Sequence, residues 1–388
     1  MTVERDVLLK VLSHAAAVPE TKNTIPILNC LVIGTDGEGG FVRATDTDLE
    51  ICAPFEAHVI KKGSVAAPAR LLADIVKRMP SKAQIAVSIF KEKLRLVCGN
   101  SKFDLGVLPA DDYPFPQVKE GPVWRFEIEA ERLRSLFAGV RHAIANDETR
   151  FYLNGIYLHV TDAEPSHLRA VATNGHMLAM VACEAPPLSQ GMAGVIVPKK
   201  TIGEMMKLLP TGSGLVTLTV SSRLIGLELA GGWMLSSKLI EGTFPDYPRV
   251  IPTDNPHRAK TAADSLAGAI DRIATLCDAD HAGIVMIMKP GGPITIAVDR
   301  AALGSGRDLV GADTTGQRAA IGINHRYMAA ILASLSGATL EVHYNSSSDP
   351  VVFRVEGSED SVNVLSPMKV DAGAESFAAA ADMLDEAA

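Results

Sequence analysis

No stretch of this 388-residue chain approaches the roughly 18 consecutive apolar residues of a membrane-crossing helix. Its start, with Glu4, Arg5 and Asp6 ahead of a Leu-rich amphipathic segment, lacks the apolar run and small-residue cleavage site of a secretory signal, so a cytoplasmic protein is expected. Cysteine is scarce: Cys30, Cys52, Cys98, Cys183 and Cys277 are odd in number and scattered, with no paired spacing. That pattern speaks against a disulfide framework or a zinc site and for buried free thiols. Recognisable catalytic motifs are missing too. There is no Gly-x-Ser-x-Gly elbow, no His-Glu-x-x-His and no phosphate loop ending in Gly-Lys-Ser/Thr, and Gly34–Gly40 lacks the dinucleotide spacing. The ten histidines are dispersed, none near a Ser or Cys in a nucleophile context, so neither catalysis nor a cofactor or metal is expected. Cations are outnumbered, 37 Lys and Arg against 45 Asp and Glu, which by itself argues against a phosphate-rich partner.

The chain does repeat itself. Asp112-Tyr113-Pro114 returns as Asp246-Tyr247-Pro248, and Leu28-Asn29-Cys30 has the shape of Leu153-Asn154-Gly155. Ala44-Thr45-Asp46 matches Ala172-Thr173-Asn174 and, more weakly, Ala297-Val298-Asp299. Pro68, Pro198 and Asn324 open three comparable helical patterns, at offsets of 198 − 68 = 130 and 324 − 198 = 126. So long a period lies outside the 20–50 residues of solenoids and propellers, and each unit should bury its own core. Three α+β domains follow, with boundaries near the turn-rich 120–122 and 252–256: residues 1–122, 123–254 and 255–370, then a tail 371–388.

Each domain carries two amphipathic stripes at helical spacing. They are Leu8, Leu9, Leu12, Ala16 and Leu71, Leu72, Ile75, Val76, Met79 in the first; Leu133, Leu136, Phe137, Val140 and Ile202, Met205, Met206, Leu209 in the second; Leu266, Ile270, Ile273 and Tyr327, Met328, Ile331, Leu332, Leu335 in the third. In an acidic protein several of these helices are basic on their polar face: Arg70, Lys77 and Arg78; Arg132, Arg134 and Arg141; Lys199, Lys200 and Lys207. The third domain dilutes the pattern.

Taken in order, Thr24-Ile25-Pro26-Ile27-Leu28, Ala67-Pro68-Ala69-Arg70, Arg150-Phe151-Tyr152-Leu153-Asn154-Gly155, Ala172-Thr173-Asn174-Gly175-His176, Phe244-Pro245-Asp246-Tyr247 and Ser366-Pro367-Met368-Lys369-Val370 resemble the beta subunit of bacterial DNA polymerase III, the sliding clamp. The resemblance runs from about Thr2 to Val370. It implies three tandem clamp-fold domains per chain in a head-to-tail homodimer, antiparallel sheets outside and twelve helices lining a hole. Helices about 10 Å apart would give a circumference of about 120 Å and a centre-line diameter of about 38 Å, wide enough for a duplex. The implied function is a non-catalytic processivity factor in DNA replication that encircles double-stranded DNA without reading its sequence. Its implied partners are the polymerase III catalytic subunit, the clamp loader, and other polymerases and repair proteins carrying clamp-binding peptides.

By the same resemblance the DNA-facing residues are Lys22, Arg70, Lys199, Lys200 and Arg249, with Asn324 and Tyr327. An apolar peptide pocket would use Tyr152, Leu153, Thr173, Gly175, His176, Leu178, Pro245, Val250, Val364, Pro367, Met368, Lys369 and Val370, and the dimer contact would pair Phe103 and Leu105 with Ile273 and Leu276. Lys22 stands where the family often has Arg, Met177 replaces a frequent Arg and Ser366 a frequent Met, while Asp147 and Glu148 occupy a loop where carboxylates would repel phosphate. These departures, with the tail, motivate an alternative: an accessory or divergent clamp paralogue with altered partner choice. The tail holds Asp371, Glu375, Asp382, Asp385 and Glu386 with no Lys or Arg, a composition expected to stay disordered. Phe377, Ala381 and Leu384 lie at helical spacing within it, a stripe suited to transient docking near the pocket.

Overall fold

The computed structural model describes residues 1–20, 24–114, 123–300 and 303–370. Lys22, the turn at 120–122 and the tail 371–388 therefore lie outside the described residues. The six amphipathic patterns form helices α1 (Arg5–Ala15), α2 (Ala69–Arg78), α3 (Ala130–Val140), α4 (Lys199–Leu208), α5 (Ala263–Ala274) and α6 (His325–Ser334). Pro68, Pro198 and Asn324 take the N-cap positions of α2, α4 and α6, and Asn324 accepts a hydrogen bond there from the Arg326 N–H at 3.0 Å. Most stripe residues are buried. In α1, however, Val11 and Ala15 accompany Leu8 and Leu12 inside, while Leu9 and Ala16 are half-buried; the stripe is rotated by one position. Leu71, counted with the core from sequence, is 49% exposed because it sits one position off the Leu72–Val76 face.

The chain forms two compact units, Met1–Arg134 with Pro186–Ile240 and Ser135–Ala185 with Glu241–Ala388. They divide the middle sequence repeat between them. The cause is strand pairing: Met234–Lys238 pairs antiparallel with Leu49–Phe55 in the first unit, and Met177–Glu184 pairs antiparallel with Ser361–Leu365 in the second. The first unit's long sheet runs Trp124–Glu129, Leu215–Val220, Leu224–Glu228, Met234–Lys238, Leu49–Phe55, Gly40–Thr45, Cys30–Thr35, Gly63–Pro68, Leu108–Pro109. In the second unit the ladder runs Gly155–Val160, His167–Thr173, Met177–Glu184, Ser361–Leu365, Val351–Val355, Thr339–Tyr344, His257–Ala262, Asp313–Thr315. A four-stranded antiparallel sheet completes each unit.

Two repeated details show why the sequence repeats. Tyr113 and Tyr247 are both buried, and each uses its hydroxyl to tie strands together. Tyr113 donates to the Cys30 carbonyl at 2.9 Å and accepts from the Thr45 N–H at 3.0 Å, and burial pushes its phenol up to about 12. Tyr247 meets His159 Nε2 at 3.0 Å and Arg169 Nη1 at 3.2 Å. Likewise Arg5 donates to the Val76 and Lys77 carbonyls at the end of α2, and Arg134 to the Met206 and Leu209 carbonyls at the end of α4. Cations satisfy otherwise orphaned helix-end carbonyls at both places. Arg134, read from sequence as part of a solvated basic face, is thus a structural capping residue.

Candidate functional site

In the second unit the hairpin between His167–Thr173 and Met177–Glu184 turns through Asn174-Gly175-His176. Asn174 Oδ1 accepts from the His176 and Met177 N–H groups at 2.9 and 3.0 Å, and Thr173 Oγ1 accepts from the Gly175 N–H at 3.1 Å. Gly175 has φ +88°, and a Cβ there would lie 2.8 Å from Arg150 Nη1. Glycine is therefore required twice over, by backbone conformation and by the guanidinium packed on it. Arg150 is held in turn by Asp147, whose Oδ2 accepts from Nε at 2.9 Å and whose Oδ1 accepts from the Thr149 and Arg150 N–H groups. Those bonds, the Arg150 N–H first, keep the Asp147 carboxyl below its usual range. Asp147 is thereby a loop fastener; its charge is taken up locally. From sequence Asp147 reads only as a charge that would repel phosphate, and Arg150 and Asn174 only as members of the quoted motifs; the Asx-turn spacing at Asn174 is the local signal that marks one of them as structural.

The His176 ring stacks on Tyr327 with centroids 5.6 Å apart and planes 14° from parallel, and its carbonyl accepts from the Ser366 N–H at 2.9 Å. Leu178 is in register with Val364 and Met177 with Leu365. The chain then continues along Ala319–Asn324, where the Met368 N–H donates to the Gly322 carbonyl at 2.8 Å. A Cβ at Gly322 would sit 2.3 Å from the Met368 carbonyl oxygen, so this close approach needs glycine. Val370 packs on Val285, Ile287 and Ala297. Tyr152 lies beside Gly242, and Pro245 and Val250 flank the exposed side of the Tyr247–Val250 turn. The structure thus links Thr173, Gly175, His176, Leu178, Val364, Met368 and Val370 by direct contacts or register. Leu153, Leu178 and Val364 are buried, so they back the site, whereas Val250 at 49% and Met368 at 38% exposure offer open apolar surface. Pro367 is half-buried and Lys369 exposed.

The cations sort by what they already hold. In the first unit Lys200 pairs with Asp46 and donates to the Val18 carbonyl at 3.0 Å, Arg78 pairs with Asp74, and Lys207 pairs with Glu204. Arg70, Lys77 and Lys199 are exposed and form no ion pair among the described residues. Lys200, expected to face phosphate, keeps a 42% exposed side chain whose ammonium pairs with an Asp46 side chain that is only 9% exposed. In the second unit Arg249, 85% exposed, pairs with Asp246 at 2.8 Å, Asn324 caps α6, and Tyr327 is committed to His176. The proposed dimer residues divide similarly. Leu105 is 7% and Ile273 5% exposed within their own units, Ile273 lying with Leu276 over Gly306. Neither has much area left for a partner; Phe103, 38% exposed, and the half-buried Leu276 do. All five cysteines are free, and no metal-ligand cluster occurs among the described residues. No helix among them is long and apolar enough to cross a membrane.

Family models for the N-terminal, central and C-terminal domains of the DNA polymerase III beta subunit match residues 1–117, 127–246 and 248–369 in order. The chain belongs to the DNA polymerase III beta subunit family. Curated relatives include the beta sliding clamps of Caulobacter vibrioides, 37% identical over 95% of this chain and 100% of the relative, and of Pseudomonas putida, 31% identical over 95% and 99%. Among solved structures, the sliding clamp of Bartonella birtlesii bound to griselimycin matches with a TM-score of 0.91 at 35% identity, covering 95% of this chain and 99% of that one. The clamp of Caulobacter crescentus, solved with polyethylene glycol bound, matches with a TM-score of 0.88 at 36% identity over the same shares. The expected three tandem clamp domains and the absence of catalysis are therefore borne out by family membership: the chain is a non-catalytic DNA sliding clamp that tethers polymerase, and its family binds DNA and clamp-binding proteins.

Proposed function

We propose that two copies of this chain close head to tail into a ring around duplex DNA in the cytoplasm and slide along it without reading bases. The reading is carried by the ordered match of all three clamp domains in one chain. It is supported by the exposed cations Arg70, Lys77 and Lys199, which have no ion-pair partner among the described residues. Such cations attract phosphates whatever the base sequence, and threading supplies retention. In this reading Arg70, Lys199 and Arg249 contact the duplex, Lys22 joins them, and Lys200, Asn324 and Tyr327 stand behind them. Phe103 and Leu276 meet across the dimer contact. Domain boundaries fall near 122 and 254.

The surface around Gly175-His176, with Tyr152, Thr173, Pro245, Val250, Pro367, Met368, Lys369 and Val370 over Leu153, Leu178 and Val364, takes apolar-anchored peptides. These come from the polymerase III catalytic subunit, the clamp loader, and other polymerases and repair proteins. Retention on nicked circular DNA after loading tests the whole reading. A working clamp stays on the circle and is lost on linearisation; loss from both forms would refute it. Solution mass should give a dimer.

One observation favours a second reading, a paralogue with altered peptide preference. Met177 is 6% exposed and in register with Leu365, so this position presents no cation to a peptide, and Ser366 is bonded to His176 through its backbone. Affinities for a panel of clamp-binding peptides, with griselimycin as competitor, separate the readings by rank order.

A further inference from the structure

A second cleft, of about 770 Å³, lies in the same unit between the segment Tyr247–Thr253 and one face of the long sheet. None of its lining residues belongs to the Gly175-His176 surface. Three strands each send one arginine into it: Arg169 from His167–Thr173, Arg354 from Val351–Val355 and Arg258 from His257–Ala262. Two carboxylates, Glu341 and Glu359, line the cleft beside them. Glu341, in register with Arg354, lies 3.3 Å from His343 Nε2, and among the described residues neither Arg258 nor Arg354 forms an ion pair or a side-chain hydrogen bond. Arg169 Nη1 is held by the Tyr247 hydroxyl, while its Nε is buried with no acceptor. A buried N–H without a partner is rare and costly in a native fold, and here it sits on the wall of an open cleft.

Between the guanidiniums the lining mixes the apolar Met180, Val362 and Ile251 with the polar Thr253, His343 and Ser358. Guanidinium forks favour carboxylates and phosphates alike, and the mixed polar and apolar lining suits a peptide carrying both acidic and apolar residues better than a phosphodiester. The chain contains such a segment. Residues 371–388 hold Asp371, Glu375, Asp382, Asp385 and Glu386 with Phe377, Met383 and Leu384 and no Lys or Arg. They follow directly on Val370 and lie beyond residue 369, where the family's C-terminal domain ends. Eighteen residues span up to about 60 Å when extended. A compact unit of about 200 residues is about 40 Å across, so the segment reaches most of the surface of its own unit.

We propose that this cleft is a carboxylate-binding site whose occupant is the chain's own acidic segment 371–388. An acidic partner peptide using the cleft has to displace it. A covalently attached segment acts at an effective concentration of about 1 mM, so even an intrinsic Kd of about 100 µM gives about tenfold occupancy of bound over free. The inference stands apart from the peptide reading of the Gly175-His176 surface.

Cleavage after Glu375 by a glutamate-specific protease, followed by mass in the full chain, is the test. Cutting at low salt is expected to be about tenfold slower in the native chain than in Arg258→Gln/Arg354→Gln, the difference closing as salt screens the pairs. The tail variant Asp382→Asn/Asp385→Asn/Glu386→Gln leaves both folded units untouched and should be cut as fast as the arginine variant. Equal rates in all three proteins would overturn the proposal. A labelled 371–388 peptide added to the chain ending at Val370 should bind, and lose binding with the arginine substitutions. Undiminished binding would place the segment elsewhere, such as the Gly175-His176 surface. A cleft that instead took a single-stranded oligonucleotide in an arginine-dependent manner, with no effect of the segment, would make it a nucleic-acid site and equally overturn the assignment.

Discussion

His176 and Tyr327, separated by 151 positions in the chain, stack nearly parallel at 5.6 Å, so a hairpin of the central domain and a helix of the C-terminal domain share one surface. That stack aligns the exposed turn with α6. Tyr327→Ala should weaken a clamp-binding peptide by about three- to tenfold, in line with about 0.5–1.5 kcal/mol for an aromatic pair. The melting temperature should change little. Isothermal titration alongside thermal unfolding distinguishes this from a general loss of fold.

Gly175→Ala should be worse than its size suggests. It forces a side chain into φ +88° and places a methyl 2.8 Å from Arg150 Nη1. A cost of about 1–2 kcal/mol in stability is expected, together with loss of peptide binding. Adding Arg150→Ala should recover the steric part only; full recovery would mean the backbone conformation is not strained.

Lys199 and Lys200 are neighbours with different tasks. Lys199→Ala should leave stability unchanged while reducing the dependence of DNA affinity on salt by about one unit of log–log slope. Lys200→Ala should lower stability by about 1–3 kcal/mol, because it removes the cation from the nearly buried Asp46 Oδ2, leaving the carboxylate only the Asp48 and Leu49 N–H donors on Oδ1, and removes a donor to Val18. Chemical denaturation of the two variants side by side checks the contrast.

His142 supplies a pH dependence. Burial pushes its imidazole from 6.5 down to about 4, even though Nε2 meets Asn363 Oδ1 at 3.0 Å. The folded state thus holds this histidine neutral where the unfolded chain would already be protonated. Its contribution is complete above pH 6.5 and is lost as the pH falls from about 6.5 to about 4, about 3 kcal/mol in all. His14, His159, His325 and His343 are also lowered, each chiefly by burial, and add in the same direction. Unfolding free energy should change little from pH 7.5 to about 6.5 and then fall towards pH 4.5, with a shallower slope in His142→Gln.

At the dimer contact, Phe103→Ala should shift the monomer–dimer equilibrium with little change in unfolding of the monomer. Leu105→Ala should instead destabilise the chain itself by about 2–4 kcal/mol, since that side chain is already enclosed. Sedimentation at several concentrations and denaturation of the same samples decide between the two roles.

The sequence by itself determined the triplicated pattern, the helices and the family, because stripes at three- and four-residue spacing, helix-opening prolines and ordered motifs are local properties that survive without knowing the fold. Through the resemblance it also put Gly175 and His176 in the candidate site, though not the turn they form. Tertiary structure alone decided which charges are free: Lys200 finds Asp46 at a separation of 154 residues, and Arg134 finds the Leu209 carbonyl at 75. It also decided that strand pairing splits the middle repeat, that Leu105 and Ile273 face inward, and that Arg150 packs on Gly175. These depend on which distant segments meet, and a one-position change of phase, as at Leu71, moves a side chain from core to solvent with no local signal to mark it.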